Sequence, residues 1–524
     1  MSKNVIANED TLSDGGLGKE GYSHNPAIAA IQNFSGKYPK QLWALFFSEM
    51  WERFCFYGMR GMLTFFMVYK LGMEKDVANL QYGATQAWVY AFTFIGGMFA
   101  DKILGFRKSL FWGGSLMIVG SLILAFDPHK FFFHGIAFLI IGTGFFKPNI
   151  SSMVGQLYHA GDARRDAGFS LFYSGINIGA FLGGILMIGV GKGEIMSSMI
   201  PEALRWNVAF GLVAIVMLIS LLTFLVTHKS LGPIGDAPID YSQQPGKKWY
   251  VYAVYAGALF CIPLIIKMVS NTQYTDYFMY FIGPFSIVYL LFEMRKLTWK
   301  ENSKLIAAFI FILFSVVFWA IFEQAGGSLS LFAAEHVDNK LLGVAGVDPN
   351  MVNNSANSLF VILFAPLLGL FWLWLSKRKS EPNGIIKFGL AFLLLGLAFY
   401  TFFTSKFSDD GNGMSPLNIL ALGYLVVTFG ELALSPIGLS LMTKLATPKL
   451  QGFMMGMWFL ASAYGQYVAG LFGAAISPSD TATASEKLAI YADGYKQFAL
   501  YAVVAGVLII IISPFVKKLM QDVK

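Results

Sequence analysis

Fourteen runs of mostly apolar sequence, each long enough to cross a bilayer as a helix, leave this chain of 524 residues almost no choice of fold class. A helix needs about 20 apolar residues to span about 30 Å of hydrocarbon. The runs fall at about 41–69, 80–100, 109–126, 131–156, 167–190, 206–227, 249–269, 274–294, 304–333, 355–376, 385–405, 416–442, 452–476 and 495–516. With 56% hydrophobic and only 13% charged residues, the chain lies outside the range of soluble domains. A transmembrane barrel would instead show alternating segments of about 10 residues. The expectation is therefore an all-α polytopic membrane protein in direct contact with the lipid bilayer, its 54 glycines serving close helix contacts and many of its 50 phenylalanines facing lipid.

The formal charge of +7 does not signal nucleic acid, because the basic residues lie between runs and form no patch interleaved with aromatics. They report topology instead. Loops on one side hold Lys102, Arg107, Lys108, Arg164, Arg165, Lys229, Lys247, Lys248, Arg295, Lys296, Lys300, Lys304, Lys377, Arg378, Lys379, Lys444 and Lys449, against seven lysines on the other. The positive-inside rule then puts both termini in the cytoplasm, and no cleaved signal peptide is expected at the start. The polar stretch 229–248, with Pro233, Pro238 and Pro245, reads as a linker. The expected organisation is a disordered cytoplasmic tail (1–36), a six-helix bundle (37–228), the linker, an inserted helix pair (249–297), a second six-helix bundle (298–518) and a short tail (519–524). Six spans on each side of an inserted pair resemble the major facilitator superfamily. So does Gly-Gly-Met-Phe-Ala-Asp-Lys-Ile-Leu-Gly-Phe-Arg-Lys, which carries Asp101, Arg107 and Lys108 where that superfamily's loop motif carries charges, with one extra residue before Gly105.

Charges inside the runs point to function. The first run contains Glu-Met-Trp-Glu-Arg-Phe-Cys-Phe-Tyr-Gly-Met-Arg, Glu49 to Arg60. Each charge at mid-membrane costs roughly 2.5–3.5 kcal/mol, so four on one helix need partners, water or a task. At about 100° per residue Glu49, Arg53, Phe56 and Arg60 share a face, with Glu52 beside them. Lys147, Glu323 and Glu431 lie equally deep in other runs. At 1.5 Å per residue, Arg60 and Glu323 are both about 28 Å from the inner surface, while Lys147 and Glu431 are about 24 and 22 Å from the outer one. Matched depth on equivalent helices predicts two ion pairs across the halves: Arg60 with Glu323 as an outer gate, and Lys147 with Glu431 as an inner gate. Three cations against four carboxylates leave one negative charge over, and in low dielectric such a carboxylate takes a proton. Glu49 or Glu52, and in some states Glu323 or Glu431, is then expected to carry the coupling proton, and the proton-coupling set is Glu49, Glu52, Arg53 and Glu323. All six histidines lie in tails, loops or near run ends, which disfavours a deep histidine relay.

One proton moved through about 100 mV supplies roughly 2.3 kcal/mol, so no nucleotide is required. The chain has no Gly-x-x-x-x-Gly-Lys-Ser/Thr, His-Glu-x-x-His or Gly-x-Ser-x-Gly, which argues against an ATP-driven pump and against an enzyme. Cys55 and Cys261 suggest neither a disulfide framework nor a metal site, and no cofactor is expected beyond the coupling proton.

With these segments read, the chain resembles the proton-dependent oligopeptide transporter family, bacterial type, from about residue 36 to 518. Glu49 to Arg60 matches E-x-x-E-R-F-x-Y-Y-G-M-R; Gly142 to Asn149 matches G-T-G-x-x-K-P-N; Phe169 to Phe181 matches the family's fifth-helix signature; Phe318 to Gln324 matches F-W-x-x-x-E-Q. The resemblance implies a monomeric symporter of the bacterial inner membrane that imports di- and tripeptides with protons by alternating access. Glu431 would then take the peptide's amino end, and Arg60 with Lys147 its carboxylate. Asn177 and Asn357 would hydrogen-bond the peptide, Ser435 joins the same substrate-binding set, and Tyr57, Tyr90, Tyr173, Trp319 and Trp458 would form tolerant walls. Gly326, Gly327 and Pro436 are candidate bending points. Two departures stand out: Phe56 replaces the first of two tyrosines, and Gly83 falls where some members carry a histidine. The alternative is a relative that carries nitrate or a small carboxylate; Glu431 would repel such an anion.

Overall fold

The computed structural model describes residues 25–524 except 160, 163, 435–437, 448, 449, 522 and 524. Among these, fourteen helices have 18 residues or more. They are α1 (Lys40–Tyr69), α2 (Lys75–Phe99), α3 (Gly105–Phe126), α4 (Phe132–Gln156), α5 (Arg164–Lys192), α6 (Arg205–Thr227), α7 (Trp249–Ser270), α8 (Thr272–Met294), α9 (Trp299–Phe322), α10 (Pro349–Lys377), α11 (Gly384–Phe403), α12 (Leu417–Leu434), α13 (Gln451–Ala475) and α14 (Ala484–Ile511). By length and apolarity alone, 11 helical stretches are able to cross a membrane. One of these, Lys75–Phe126, holds both α2 and α3, and α1 and α13 complete the fourteen. The charges of α1 are what lower its mean hydropathy.

Helix ends follow local chemistry. Thr298 and Glu301 close a capping box on α9, and Thr483 and Glu486 do the same for α14. Asp348 caps α10 by accepting from the Met351 amide at 3.0 Å, with Pro349 in the first turn. The caps extend several helices past their apolar cores, which is why α14 starts at Ala484, ahead of its apolar run. The run 304–333 is not one helix. It breaks at a 3-10 turn, Glu323–Gly326, and resumes as Ser328–His336. Helix α12 ends at Leu434 and a short helix covers Gly438–Leu445; residues 435–437, Pro436 among them, lie outside the described residues.

Helices α1–α6 and α9–α14 form two six-helix bundles. In the first, α1 packs on α5 and α6, and α3 on α4; in the second, α11 packs on α12 and α14, and α9 on α13. The bundles meet along α2 with α13 and α5 with α10. Gly83 marks the first seam: a Cβ there would lie 2.7 Å from the Gly470 Cα and 2.9 Å from its nitrogen. Because the helix count is even, α1 begins and α14 ends on one side, the terminal face; the other side is the far face.

The inserted helices put one leg on each bundle. Helix α7 lies on α4, and Tyr255 stacks on Trp112 of α3 at 4.5 Å. Helix α8 follows α13, with Tyr467 donating to Asp276 at 2.7 Å, Tyr464 donating to the Met279 carbonyl, and Tyr289 against Phe453. Their far-face turn is tied to α2 by Gln81 on the Ser270 carbonyl (3.2 Å) and Trp88 on Thr275 (3.0 Å).

One expectation about the flanks needs correction. Residues 1–24 of the anticipated tail lie outside the described residues, but Pro26–Gln32 is a helix capped by Asn25. It docks on the first bundle through Gln32, which donates to the carbonyls of Gln156 (3.0 Å) and Tyr158 (3.2 Å), and through buried Ile28. The linker also folds back. Leu231 and Ile234 are buried, and Arg107 donates to the carbonyls of Ile234 (2.7 Å) and Gly232 while its Nη1 lies 3.2 Å from Asp236. Partial burial holds the Asp236 carboxyl above its usual range even with Arg107 and Lys108 beside it. Gly105 (φ +74°) brings this loop close: a Cβ there would meet the Asp236–Ala237 backbone at 2.5–2.6 Å.

Candidate functional site

None of the seven intramembrane charges is exposed on the protein surface. Glu49, Glu52, Arg53 and Glu323 are buried, and Arg60, Lys147 and Glu431 are partly buried. Glu49 and Arg53 sit one helical turn apart, which puts Arg53 Nε 3.1 Å from Glu49 Oε1, while Nη2 pairs with Glu52. Among the described residues, Glu49 Oε2 and Glu52 Oε1 have no protein donor. Lys147 of α4 lies within electrostatic reach of this group. Its ammonium is 4.3 Å from the Tyr90 ring centroid and 5.1 Å from that of Phe56, which Arg53 also faces at 5.1 Å. Phe56 thus lacks a hydroxyl but gives two cations an aromatic face. Asn149, in the same motif as Lys147, binds Ser109 (2.8 Å) and the Phe145 carbonyl (2.6 Å), fixing α4 against α3.

Arg60 and Glu323 are brought together. Arg60 Nη2 pairs with Glu323 across the bundles, and its Nε donates to Tyr82 at 2.6 Å. The helix break that presents Glu323 is bolted from both sides. Gln324 donates to the Ala320 and Ala469 carbonyls at 3.0 Å, and Asn353 donates to Ala325 at 2.8 Å while accepting from Tyr424 at 2.6 Å. Thr64 reaches the Gly326 carbonyl across the same interface.

Lys147 and Glu431 are not brought together in this state, a departure from the expected inner pair. The Lys147 ammonium stays beside α1, against the Tyr90 and Phe56 rings. Glu431 instead accepts from Asn357 at 2.8 Å and from Tyr173 across the cleft, with Thr428 bound to the same Asn357 amide at 3.1 Å. Depth matched between the two residues, but depth says nothing about which conformation has the pair closed.

Three of the expected wall residues lie beside these charges. Tyr57 lies 5.9 Å from the Arg60 guanidinium, Tyr90 beside Lys147, and Tyr173 beside Glu431. Trp319 packs on Gly465, and its indole nitrogen is buried without a partner among the described residues; Trp458 is buried. Asn177 uses its amide nitrogen on the Tyr173 carbonyl one turn back, at 2.9 Å. Ser435 lies outside the described residues. Gly83 leaves no room for a larger side chain, because the α2–α13 seam closes over it.

Two far-face contacts between bundles escaped the sequence reading. Lys75 and Tyr69 both donate to Glu335, the lysine at 2.7 Å. Lys192 pairs with Asp348 and donates to Asn350 at 3.0 Å. All four charged residues sit near helix ends, where a charge carries no depth penalty and gives no signal.

Two six-helix bundles meeting over a sheltered set of acids and bases define a membrane transporter of the major facilitator type. The comparisons make that specific: the chain belongs to the POT family, whose model matches residues 107–488. It is 34% identical over 512 residues to "Peptide transporter YePEPT" of Yersinia enterocolitica, covering 93% of this chain and 96% of that one. It is 29% identical over 504 residues to "Dipeptide and tripeptide permease A" of Serratia proteamaculans, covering 95% and 96%. A crystal structure of a mutant of peptide transporter POT in complex with alafosfalin superposes with a TM-score of 0.79 at 32% identity, covering 94% of this chain and 99% of that one. The family is one of transporters, not enzymes.

Proposed function

We propose that this protein imports di- and tripeptides together with protons by alternating access. It works as a monomer in the bacterial inner membrane, with the terminal face in the cytoplasm and no cofactor but the coupling proton. The observation that carries the reading is the unequal pairing of the seven charges. Arg60 has Glu323, and Arg53 with Lys147 faces Glu49 and Glu52, but among the described residues Glu431 makes no ion pair and is held by the neutral donors Asn357 and Tyr173. A carboxylate on the cleft without a cation suits the ammonium of a free peptide and repels nitrate or a carboxylate. The peptide carboxylate turns to Arg60 and Lys147, its backbone to Asn177 and Asn357, and Tyr57, Tyr90, Tyr173, Trp319 and Trp458 accept varied side chains. Ser435 belongs to the same set.

Coupling follows from the two charge groups. A proton on Glu323 removes the charge that holds Arg60, freeing the far-face latch and the guanidinium for substrate. Glu49 and Glu52, whose outer oxygens lack protein donors, exchange the second site of protonation with Lys147 as that lysine moves toward Glu431. In this state the far face is latched and the inner pair is apart, the arrangement from which a peptide leaves toward the cytoplasm.

Competition against labelled trialanine uptake in proteoliposomes tests the reading. A charge-assisted contact contributes about 1.5–3 kcal/mol, so N-acetylated trialanine should compete roughly 10- to 100-fold less well than the free peptide. Glu431→Gln should erase that difference. Equal competition by the acetylated peptide, or strong competition by nitrate or succinate, would overturn it.

A further inference from the structure

A valley on the lipid-facing side of the second bundle has the profile of an amphiphile. It runs between α11 and α14 toward the far face, with a volume of about 640 Å³, and none of the seven intramembrane charges lines it. Its floor is apolar: Leu393, Leu397, Leu500 and Val503 line it, and Gly396 and Ala499 leave the depression. Leu397 and Leu500 are more than half exposed, so lipid is their medium. Its rim, nearer the far-face ends of both helices, is polar, with Tyr400, Asp493, Lys496 and Gln497.

The rim's charges do not cancel. Lys406, in the turn after α11, holds both oxygens of Asp493 at 3.0 and 2.8 Å. Lys496 has its ammonium 5.3 Å from the Phe403 ring and, among the described residues, makes no ion pair. One uncompensated cation therefore stands beside the amide of Gln497 and the hydroxyl of Tyr400. The apolar floor lies below, toward the middle of the bilayer. Leu393 is about 15 Å below the far-face end of α11 and Tyr400 about 5 Å, at 1.5 Å per residue. Polarity thus changes from head to tail along the membrane normal, as it does in a phospholipid.

We propose that this valley is a binding site for an anionic phospholipid, its phosphate on Lys496 and its acyl chain over Leu393, Leu397, Leu500 and Val503. Both helices belong to one bundle, and they pack closely at Gly389 on Ile510 and Gly506 on Phe392. The lipid therefore stays in place through the transport cycle and acts on the stability of the second bundle, not on coupling.

The test compares the full-length protein in nanodiscs of phosphatidylcholine with and without phosphatidylglycerol, reading retained lipid by native mass spectrometry and the melting temperature. Phosphatidylglycerol should be retained in preference and raise the melting temperature. Lys496→Glu should lower retention by on the order of tenfold, since an opposed charge replaces an attractive one near the headgroup, and Lys496→Arg should keep it. Lys496 is exposed, so folding is not at stake in either variant. Equal retention by Lys496→Glu, equal retention of phosphatidylcholine, or the same stabilisation by inorganic phosphate would each overturn the proposal.

Discussion

Replacing Glu323 by glutamine should unlatch the far face. The pair is well buried, with side-chain exposures of 11% for Arg60 and 3% for Glu323, so the substitution leaves a guanidinium without its counter-charge. Breaking a buried pair from one side costs about 3–5 kcal/mol. The glutamine carbonyl can still accept one hydrogen bond and Tyr82 stays on Nε, so the lower figure, about 3 kcal/mol, is the better guide. At about 1.4 kcal/mol per tenfold, the latched state loses roughly 100-fold against the far-open one. Spin labels at Met199 and Leu342, both highly exposed near the far face and on different bundles, would report the change by double electron–electron resonance, with Cys55 and Cys261 replaced beforehand. The distance distribution should move to longer values in Glu323→Gln. Neutralising Arg60 as well should reverse much of that shift, because no orphan charge remains. An unchanged distribution in Glu323→Gln would refute the latch.

Glu335 is the milder case: it is 20% exposed and shares its charge with Lys75 and Tyr69, so Glu335→Gln should shift the same equilibrium only about fivefold, from about 1 kcal/mol. A shift as large as that of Glu323→Gln would show that burial does not set the ranking. Gly83→Ala should slow trialanine uptake, because its Cβ meets Gly470 backbone at 2.7 Å and backbone cannot swing aside; overpacking of this kind costs about 1–3 kcal/mol. Unimpaired initial rates would mean that the seam has slack. Arg107→Ala removes two carbonyl contacts and the Asp236 pair, so trypsin should cut the linker at Lys229, Lys247 or Lys248 several-fold faster than in the parent, and equal digestion would show that Arg107 does not hold it.

Much of the fold was legible because a bilayer is a strict solvent: apolar length located the fourteen helices, and an unpaired charge in hydrocarbon demands an explanation. That demand is what linked Arg60 to Glu323 across more than half of the chain. Legibility failed where energy is not written in depth. Lys75, Glu335, Lys192 and Asp348 sit near helix ends, where water is within reach. The break after Phe322 was visible only as the pair Gly326 and Gly327; what fixes it is Gln324 and Asn353, two ordinary amides whose partners come from other helices. The Lys147–Glu431 expectation rested on opposite charges at matched depth on equivalent helices, and depth is the same whether a gate is open or shut. The start of the chain misled for another reason: the polar composition before residue 36 hides Ile28, Ile31 and Phe34, enough to seat one short helix.

The central claim is that peptide and proton cross together because protonation of a carboxylate releases its cation. Proteoliposomes holding a pH-sensitive dye, with the external medium mildly acidic, measure it directly. A pulse of trialanine should acidify the lumen in the parent, and Glu323→Gln should exchange labelled trialanine across the membrane while giving no such signal. Trialanine entry without acidification, undiminished by a protonophore, would contradict the account.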